Sequence, residues 1–537
     1  MLQIDPLKRP PNAELELAGS KSITNRALLI AALAEGKSTL SRALFAEDTL
    51  AMINCLQAFG IDIKHDHTTA TIAINGSGGE LKTPQKELWV RQSGTTARFI
   101  LPLSALVKAP IEVDGDNQIR SRPQHDLLLA LNELGVEIAH NGEMGHLPLT
   151  IDGSNLTVTD ISVSGETSSQ YLSALLLVGP CLPEKITLTL EGNAVSTPYI
   201  QMTIEIMKAF GAQVNSSKPN SYTVHPTGYV GRDYEIETDA STASYFFAAA
   251  AASKGRVVVN GIGSNSIQGD LEFVEILQQM GAQTLIRPNS VEVTGPTRLD
   301  GIDVSMKNIS DTAPTLASIA PFASSPVRVT DIGFIQHKES DRVTAVVTEL
   351  QKLGIDASIE DDGFVIKPGV PTRGIVHSYD DHRIAMAFTV LGLLSEGVAI
   401  DEPNCVAKTC PEFFEYVDTL RLEGDEQLDI LAIDGPAGSG KSSLAKLLAE
   451  RLRLEYLDTG AMYRSVAAEA LSANVDPKDL HAVAEIADKT DISFEGQQVF
   501  VNGHDLTETI RSAEVNAVVS HVAANPGVRA VLRRAQR

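Results

Sequence analysis

The chain has 537 residues, too long for one ordinary hydrophobic core, so three or more domains are expected. A hydrophobic content of 43% with 21% charged residues reads as a soluble globular protein, and no apolar run reaches the length of a membrane span. The formal charge of −24 argues against non-specific nucleic-acid binding and requires any anion site to gather its cations locally.

The start, "MLQIDPLKRPPNAE", lacks a charged segment followed by an apolar one, so no secretory signal is expected. Cys55, Cys181, Cys405 and Cys410 form no C-x-x-C pair. They are expected as free thiols in a reducing cytoplasm, with no metal site. A monomer with neither nucleic-acid nor membrane partners is the matching expectation.

In chain order, apolar helices with polar starts are predicted at "SITNRALLIAALAEG", "TARFILPLSALV", "SSQYLSALLLVGP", "STASYFFAAAAASKG" and "DTAPTLASIAPFA". Starts rich in Ser, Thr, Asp and Gly offer free N–H groups that suit an anion. Between them one pattern recurs: an apolar helix end, a glycine, then an alternating strand. It reads "LQAFGIDI" at Gly60, "LNELGVEI" at Gly135, "MKAFGAQV" at Gly211, "LQQMGAQT" at Gly281 and "LQKLGIDA" at Gly354. A weaker copy, "TLRLEG", ends at Gly424, and the intervals all lie between 70 and 76 residues. Each glycine is predicted just past a helix end in the left-handed region. About six copies of one α+β unit follow, packed as two halves with a cleft between them.

Cations cluster in "GSKSITNR", "RQSGTTAR", "RSRP", "HKESDR", "YDDHR" and "CVAKTCPE". Singly, each could be a solvated loop or helix pairing. Together with "SSQYLSALL" and "DASTASYFFAAAA", in this order, they resemble the 5-enolpyruvylshikimate-3-phosphate (EPSP) synthase family over about residues 5 to 420. The resemblance implies two domains of three α+β units each, one discontinuous. Here these would be residues 1–20 plus 240–424, and residues 21–239. It also implies transfer of the enolpyruvyl group of phosphoenolpyruvate to the 5-hydroxyl of shikimate 3-phosphate, in the pathway to aromatic amino acids, without metal or organic cofactor.

By motif position, the resemblance puts Lys21, Ser22, Arg26, Ser168, Ser169, Gln170, Ser196, Tyr199, Asp311 and Lys338 on shikimate 3-phosphate. Phosphoenolpyruvate would meet Lys21, Gly94, Arg122, Gln170, Arg342, Arg383 and Lys408. Both substrates are polyanions, so planar Arg forks and compact Lys charges suit them. The chemistry needs a carboxylate near the attacking hydroxyl, assigned to Asp311. It also needs an acid near the methylene, assigned to Glu339 with Lys21 as the competing proton carrier. Asp48 matches a further acidic position. Gln92 and the run Phe334 to His337 depart from the family pattern. The sister family acting on UDP-N-acetylglucosamine is the alternative; its Asn after the first Lys and its loop Cys near "RSRP" have no match here.

A separate motif, "IDGPAGSGKSSLA", follows a strand-like run and opens a helix-like one. Gly435, Gly438, Gly440, Lys441 and Ser442 would cradle phosphates there. From Leu428 the sequence resembles cytidylate kinase, through "DTGAMYRSVA" with Arg464 and "SHVAANPGVRAVLRR" with Ser520 and Arg529. This implies a partial P-loop α/β domain over 428–537, with ATP and Mg²⁺ as its possible ligands. That family's later segments, including its Arg-bearing lid, have no counterpart here. Weak nucleotide binding without kinase turnover is expected, with phosphorylation of CMP or dCMP as the alternative.

Overall fold

The computed structural model describes residues 1–166, 168–422, 444–445, 458–495 and 498–535. The chain forms two units, Met1–Gln427 and Leu428–Arg537. Gly424 and the phosphate-loop residues Gly435, Gly438, Gly440, Lys441 and Ser442 lie outside the described residues.

In the first unit, five four-stranded sheets share one topology. In one of them, strand Arg256–Asn260 lies parallel to Asn12–Leu15 and antiparallel to Ser290–Thr294, which pairs in turn with Gln283–Ile286. The others are built around Lys37–Ser41, Pro110–Asp114, Ile186–Glu191 and Val327–Thr330. In each, the parallel pair is joined by a long connection, one antiparallel pair is a hairpin, such as Gln283–Ile286 with Ser290–Thr294, and the other antiparallel pair is bridged by a longer segment that carries a helix. A sixth, three-stranded sheet joins Leu2–Gln3, Val398–Ile400 and Gly374–Val376.

Two hydrophobic cores form between these sheets and their helices. One runs from Ile23 to Ile236. The other combines Ile4 to Leu17 with Ala240 to Leu420. Alternation sets the strands' faces, as with buried Ile72 and Ile74 against outward Ala73. Helices such as Ala240–Ser253 are buried along most of their length, because small Ala residues let neighbouring elements approach.

The recurring glycines do adopt left-handed geometry: φ is +86° at Gly60, +79° at Gly135, +90° at Gly211, +100° at Gly281 and +79° at Gly354. At Gly135 space adds a second constraint, since a Cβ would lie 2.4 Å from the Asn155 carbonyl oxygen.

In the second unit, helices Thr459–Ser472, Leu480–Lys489, Ala513–Ala524 and Pro526–Ala535 accompany a three-stranded sheet. Its core gathers Val466, Ala470, Val483, Val501 and Val522. Among the described residues no helix is long and apolar enough to cross a membrane.

Candidate active site

Within the first unit, one pocket is lined by Lys21, Ser22, Asp48, Gly94, Thr95, Arg122, Ser168, Ser169, Gln170, Val195, Ser196, Tyr199, Asp311, Phe334, Lys338, Glu339, Arg342, His382 and Arg383. Many of these residues sit where helices begin, and the caps explain their placement. Ser20 accepts from the Ile23 amide at the start of Lys21–Leu33. Ser93 caps Gly94–Ile100, and Ser168 caps Ser169–Val178. Asp341 and Asp381 cap Arg342–Lys352 and His382–Leu393. Each cap stops the helix at a defined residue and leaves its first turn facing the pocket, where the macrodipole favours negative charge.

Glu339 is the hub of the cationic wall. Its Oε1 lies 3.3 Å from Arg122 Nη1 and 3.5 Å from Lys408 Nζ, and its Oε2 lies 2.6 Å from Arg342 Nη2. Burial alone would raise this carboxyl, but Arg122, Arg342 and Lys408 outweigh it and hold it well below the usual range. Asp311 is gripped similarly, by Arg342 Nη1 at 3.1 Å and Arg383 Nη2 at 2.7 Å. Burial opposes the effect there as well, yet Arg383, Lys338 and Arg342 keep Asp311 ionised. The two carboxylates assigned to proton transfer are thus ion-pair partners of Arg122, Arg342, Arg383 and Lys408.

Lys21 Nζ stands 3.3 Å from Asp48, so this acidic position belongs to the same network. Burial, with Arg342 adding repulsion against the pull of Asp311, lowers Lys338 to about 8. His382 is held neutral, since burial and then Lys21 and Arg383 disfavour its charge. Gly94 packs directly on Arg122: a Cβ there would lie 2.7 Å from the guanidinium.

Two residues that the sequence assigned to substrate do not line the pocket. Arg26 is buried behind it, donating from Nε to Thr203 Oγ1 at 2.7 Å and from Nη1 to the Ser22 carbonyl at 2.9 Å. Its guanidinium also lies 5.1 Å from the Phe99 ring centroid. Lys408 lies behind Glu339, where Gln118 Oε1 accepts from it at 3.4 Å. Several supporting residues were given no site role by the sequence reading. Gln118 also donates to the Glu339 carbonyl at 3.2 Å, and Arg98 donates to Gln170 Oε1 at 2.7 Å. Asp381 clamps Arg342, while Gln92, one of the departures from the family pattern, donates to Asp380 at 3.1 Å. The first three lie inside or beside quoted motifs, and that proximity is the signal that could have flagged them.

Comparisons with known proteins bear on the family and the fold. The profile of cytidylate kinase matches residues 431–537. Over 414 residues the chain is 43% identical to a 3-phosphoshikimate 1-carboxyvinyltransferase of Nostoc sp., covering 77% of this chain and 97% of the relative. A relative of the same name, numbered 2, from Halalkalibacterium halodurans is 37% identical over 427 residues, covering 79% and 95%. Among solved structures, the EPSP synthase of Acinetobacter baumannii matches with a TM-score of 0.66 at 27% identity, covering 78% of this chain and 97% of that one. The enolpyruvyl transferase NikO of Streptomyces tendae shares the fold at 17% identity and a TM-score of 0.61. With residues 8–417 matched by the family profile and a mixed α+β fold shared with these structures, the chain belongs to the EPSP synthase (3-phosphoshikimate 1-carboxyvinyltransferase) family.

Proposed function

We propose that the first unit transfers the enolpyruvyl group of phosphoenolpyruvate to the 5-hydroxyl of shikimate 3-phosphate and releases phosphate. The observation that carries this reading is the convergence of Lys21, Arg122, Lys338, Arg342 and Arg383 on one pocket of a chain with net charge −24. A site that concentrates cations against such a background is built for polyanions.

The chemistry follows from the ion pairs. Phosphoenolpyruvate arriving at Arg122 and Arg342 competes with Glu339 for these cations. As it takes them over, the Glu339 carboxyl loses the charges that depress it, and burial then favours its protonated form. Glu339 can thus become the acid that the methylene carbon requires. Asp311, released from Arg383 and Arg342 in the same way, can accept the proton of the 5-hydroxyl as that oxygen attacks the adjacent carbon. The tetrahedral adduct then returns a methyl proton to the Glu339 carboxylate and expels phosphate, forming the C=C bond of the product enol ether. Ser22, Ser168, Ser169, Gln170 and Tyr199 would orient the shikimate side. The scheme draws on no metal or organic cofactor, and full activity in a chelator would agree with it.

We also infer that residues 1–20 plus 240–424 and residues 21–239 are two domains, each of three related α+β units. The shared strand order supports this reading.

Phosphate release from phosphoenolpyruvate plus shikimate 3-phosphate tests the main assignment; silence from pure folded protein would refute it. The cytidylate kinase match at residues 431–537 favours a second, additional reading. ADP formation from ATP plus CMP in the same preparation is its test.

A further inference from the structure

Asp270 takes no part in the scheme above, yet it touches the pocket wall. It sits in the turn Gly269–Glu272, beside the second core, and is only 4% exposed. Its Oδ2 accepts from the Tyr199 hydroxyl at 3.0 Å and from the Ser241 hydroxyl. Tyr199 packs on the first core and lines the pocket, so this carboxyl ties the two cores together behind it. The turn has no room to retreat, since a Cβ on Gly269 would lie 2.3 Å from Pro198 Cβ, at the start of the Tyr199 helix.

The other oxygen is different. Asp270 Oδ1 is buried without a hydrogen-bond partner. Asp270 borders a small polar chamber lined also by Ser20, Ser22, Tyr199, Asp239 and Gln268, and that chamber shares Ser22 and Tyr199 with the main pocket. A buried carboxylate with an unpaired oxygen is costly, and a proton on that oxygen removes the buried charge. The surrounding charges point the same way. Burial and then Asp311 raise this carboxyl, Arg383 and the Ser241 hydroxyl oppose them, Asp239 adds to the rise, and the balance is about 6. Tyr199 itself stays a neutral phenol, because burial and Asp270 raise it far above its ordinary value.

We propose that Asp270 is a positioning residue for this site: it fixes the Tyr199 hydroxyl, and its Oδ1 takes up one proton from solvent when the phosphorylated substrate enters. The inference rests on the enolpyruvyl-transfer reading. A phosphate dianion arriving on the Ser22 and Tyr199 side adds negative charge near a buried carboxylate and favours its neutral form. The only bond made is O–H at Oδ1. Oδ2 remains the acceptor for both hydroxyls, so no hydrogen bond is exchanged and Tyr199 stays in place. Proton uptake on binding also means that affinity for the phosphorylated substrate falls as pH rises.

Calorimetric titration of shikimate 3-phosphate in buffers of different ionisation enthalpy reads the uptake. At about pH 7.5 the phosphate, with a second pKa of about 6, is already ionised and contributes little. Asp270→Asn keeps an acceptor oxygen for Tyr199 and Ser241 but cannot titrate. Its complex is expected to lose about half a proton of uptake or more relative to wild type. Lys338 can also take up a proton, whereas Lys338→Arg cannot. Uptake persisting in Lys338→Arg does not come from Lys338, and that measurement stands even if Asp270→Asn does not fold. Equal uptake in wild type and Asp270→Asn, or disappearance of all uptake in Lys338→Arg, overturns the proposal. Wild-type protein that binds no shikimate 3-phosphate refutes the enolpyruvyl-transfer reading first, and the role of Asp270 falls with it.

Discussion

Arg342 and Asp381 form a buried two-point pair: Nε donates to Oδ2 at 2.8 Å and Nη2 to Oδ1 at 3.2 Å, with the side chains 1% and 0% exposed. The same Asp381 also accepts from Ser340 Oγ and from the Arg383 amide. One carboxylate therefore caps a helix and orients a pocket-lining guanidinium. Arg342 can then hold Glu339 and Asp311 with the donors that remain.

Removing that carboxylate leaves a buried cation half-paired. Asp381→Ala is expected to lose about 3–5 kcal/mol of stability, read from the urea midpoint of the intact chain. In whatever folds, kcat/KM should fall at least about a hundredfold, because Arg342 is no longer aimed. A variant with wild-type stability would show that the pair is not satisfied as described.

Asp311→Ala separates binding from chemistry. The variant should bind shikimate 3-phosphate within about tenfold of wild type, since one contact among many is lost, while its turnover drops at least about a thousandfold. Binding is read by calorimetry and turnover by phosphate release. A fully active variant would remove Asp311 from the mechanism.

Gly94→Ala puts a methyl where Arg122 now lies, 2.7 Å from the ideal Cβ position. Arg122 must shift away from both Glu339 and the incoming anion. The KM for phosphoenolpyruvate should rise about tenfold or more, equivalent to about 1.4 kcal/mol, with little change for shikimate 3-phosphate. Initial-rate kinetics with each substrate varied in turn would reveal the split.

Lys338 carries its charge only below about 8, because burial disfavours the ammonium. As pH rises through that value the free protein loses this cation, and an anionic ligand must bring a proton with it. The KM for shikimate 3-phosphate is therefore expected to climb above about pH 8 in the wild type. In Lys338→Arg the climb should be shallower over the same range, since guanidinium does not titrate there and only the proton taken up at Asp270 remains. Superimposable profiles would exclude Lys338 as the titrating contact.

Local features were legible because their causes are local. A glycine that must leave a helix with φ near +90°, as at Gly211, announces itself through the apolar helix end before it and the alternating strand after it. The helix starts expected at Ser22, Thr96 and Ser168 fall within three residues of the observed caps Ser20, Ser93 and Ser168 for the same reason. The motifs that carry the family resemblance are also short and contiguous, and they supplied the cations. What they could not supply is partnership. Gln118 and Lys408 are 290 residues apart in sequence, and Tyr199 and Asp270 are 71 apart. No spacing rule links such pairs.

The sequence alone thus determined the polar helix starts, the left-handed glycines and the inventory of charges, since these depend on bonds and steric contacts spanning a few residues. Only the tertiary structure decided that Arg122 reaches Glu339 across 217 residues, that Arg26 is buried behind Ser22, and that Asp270 keeps one oxygen unpaired beside Tyr199. The physical reason is that ionisation in a buried site follows from desolvation and from charges within a few ångströms, and packing sets both.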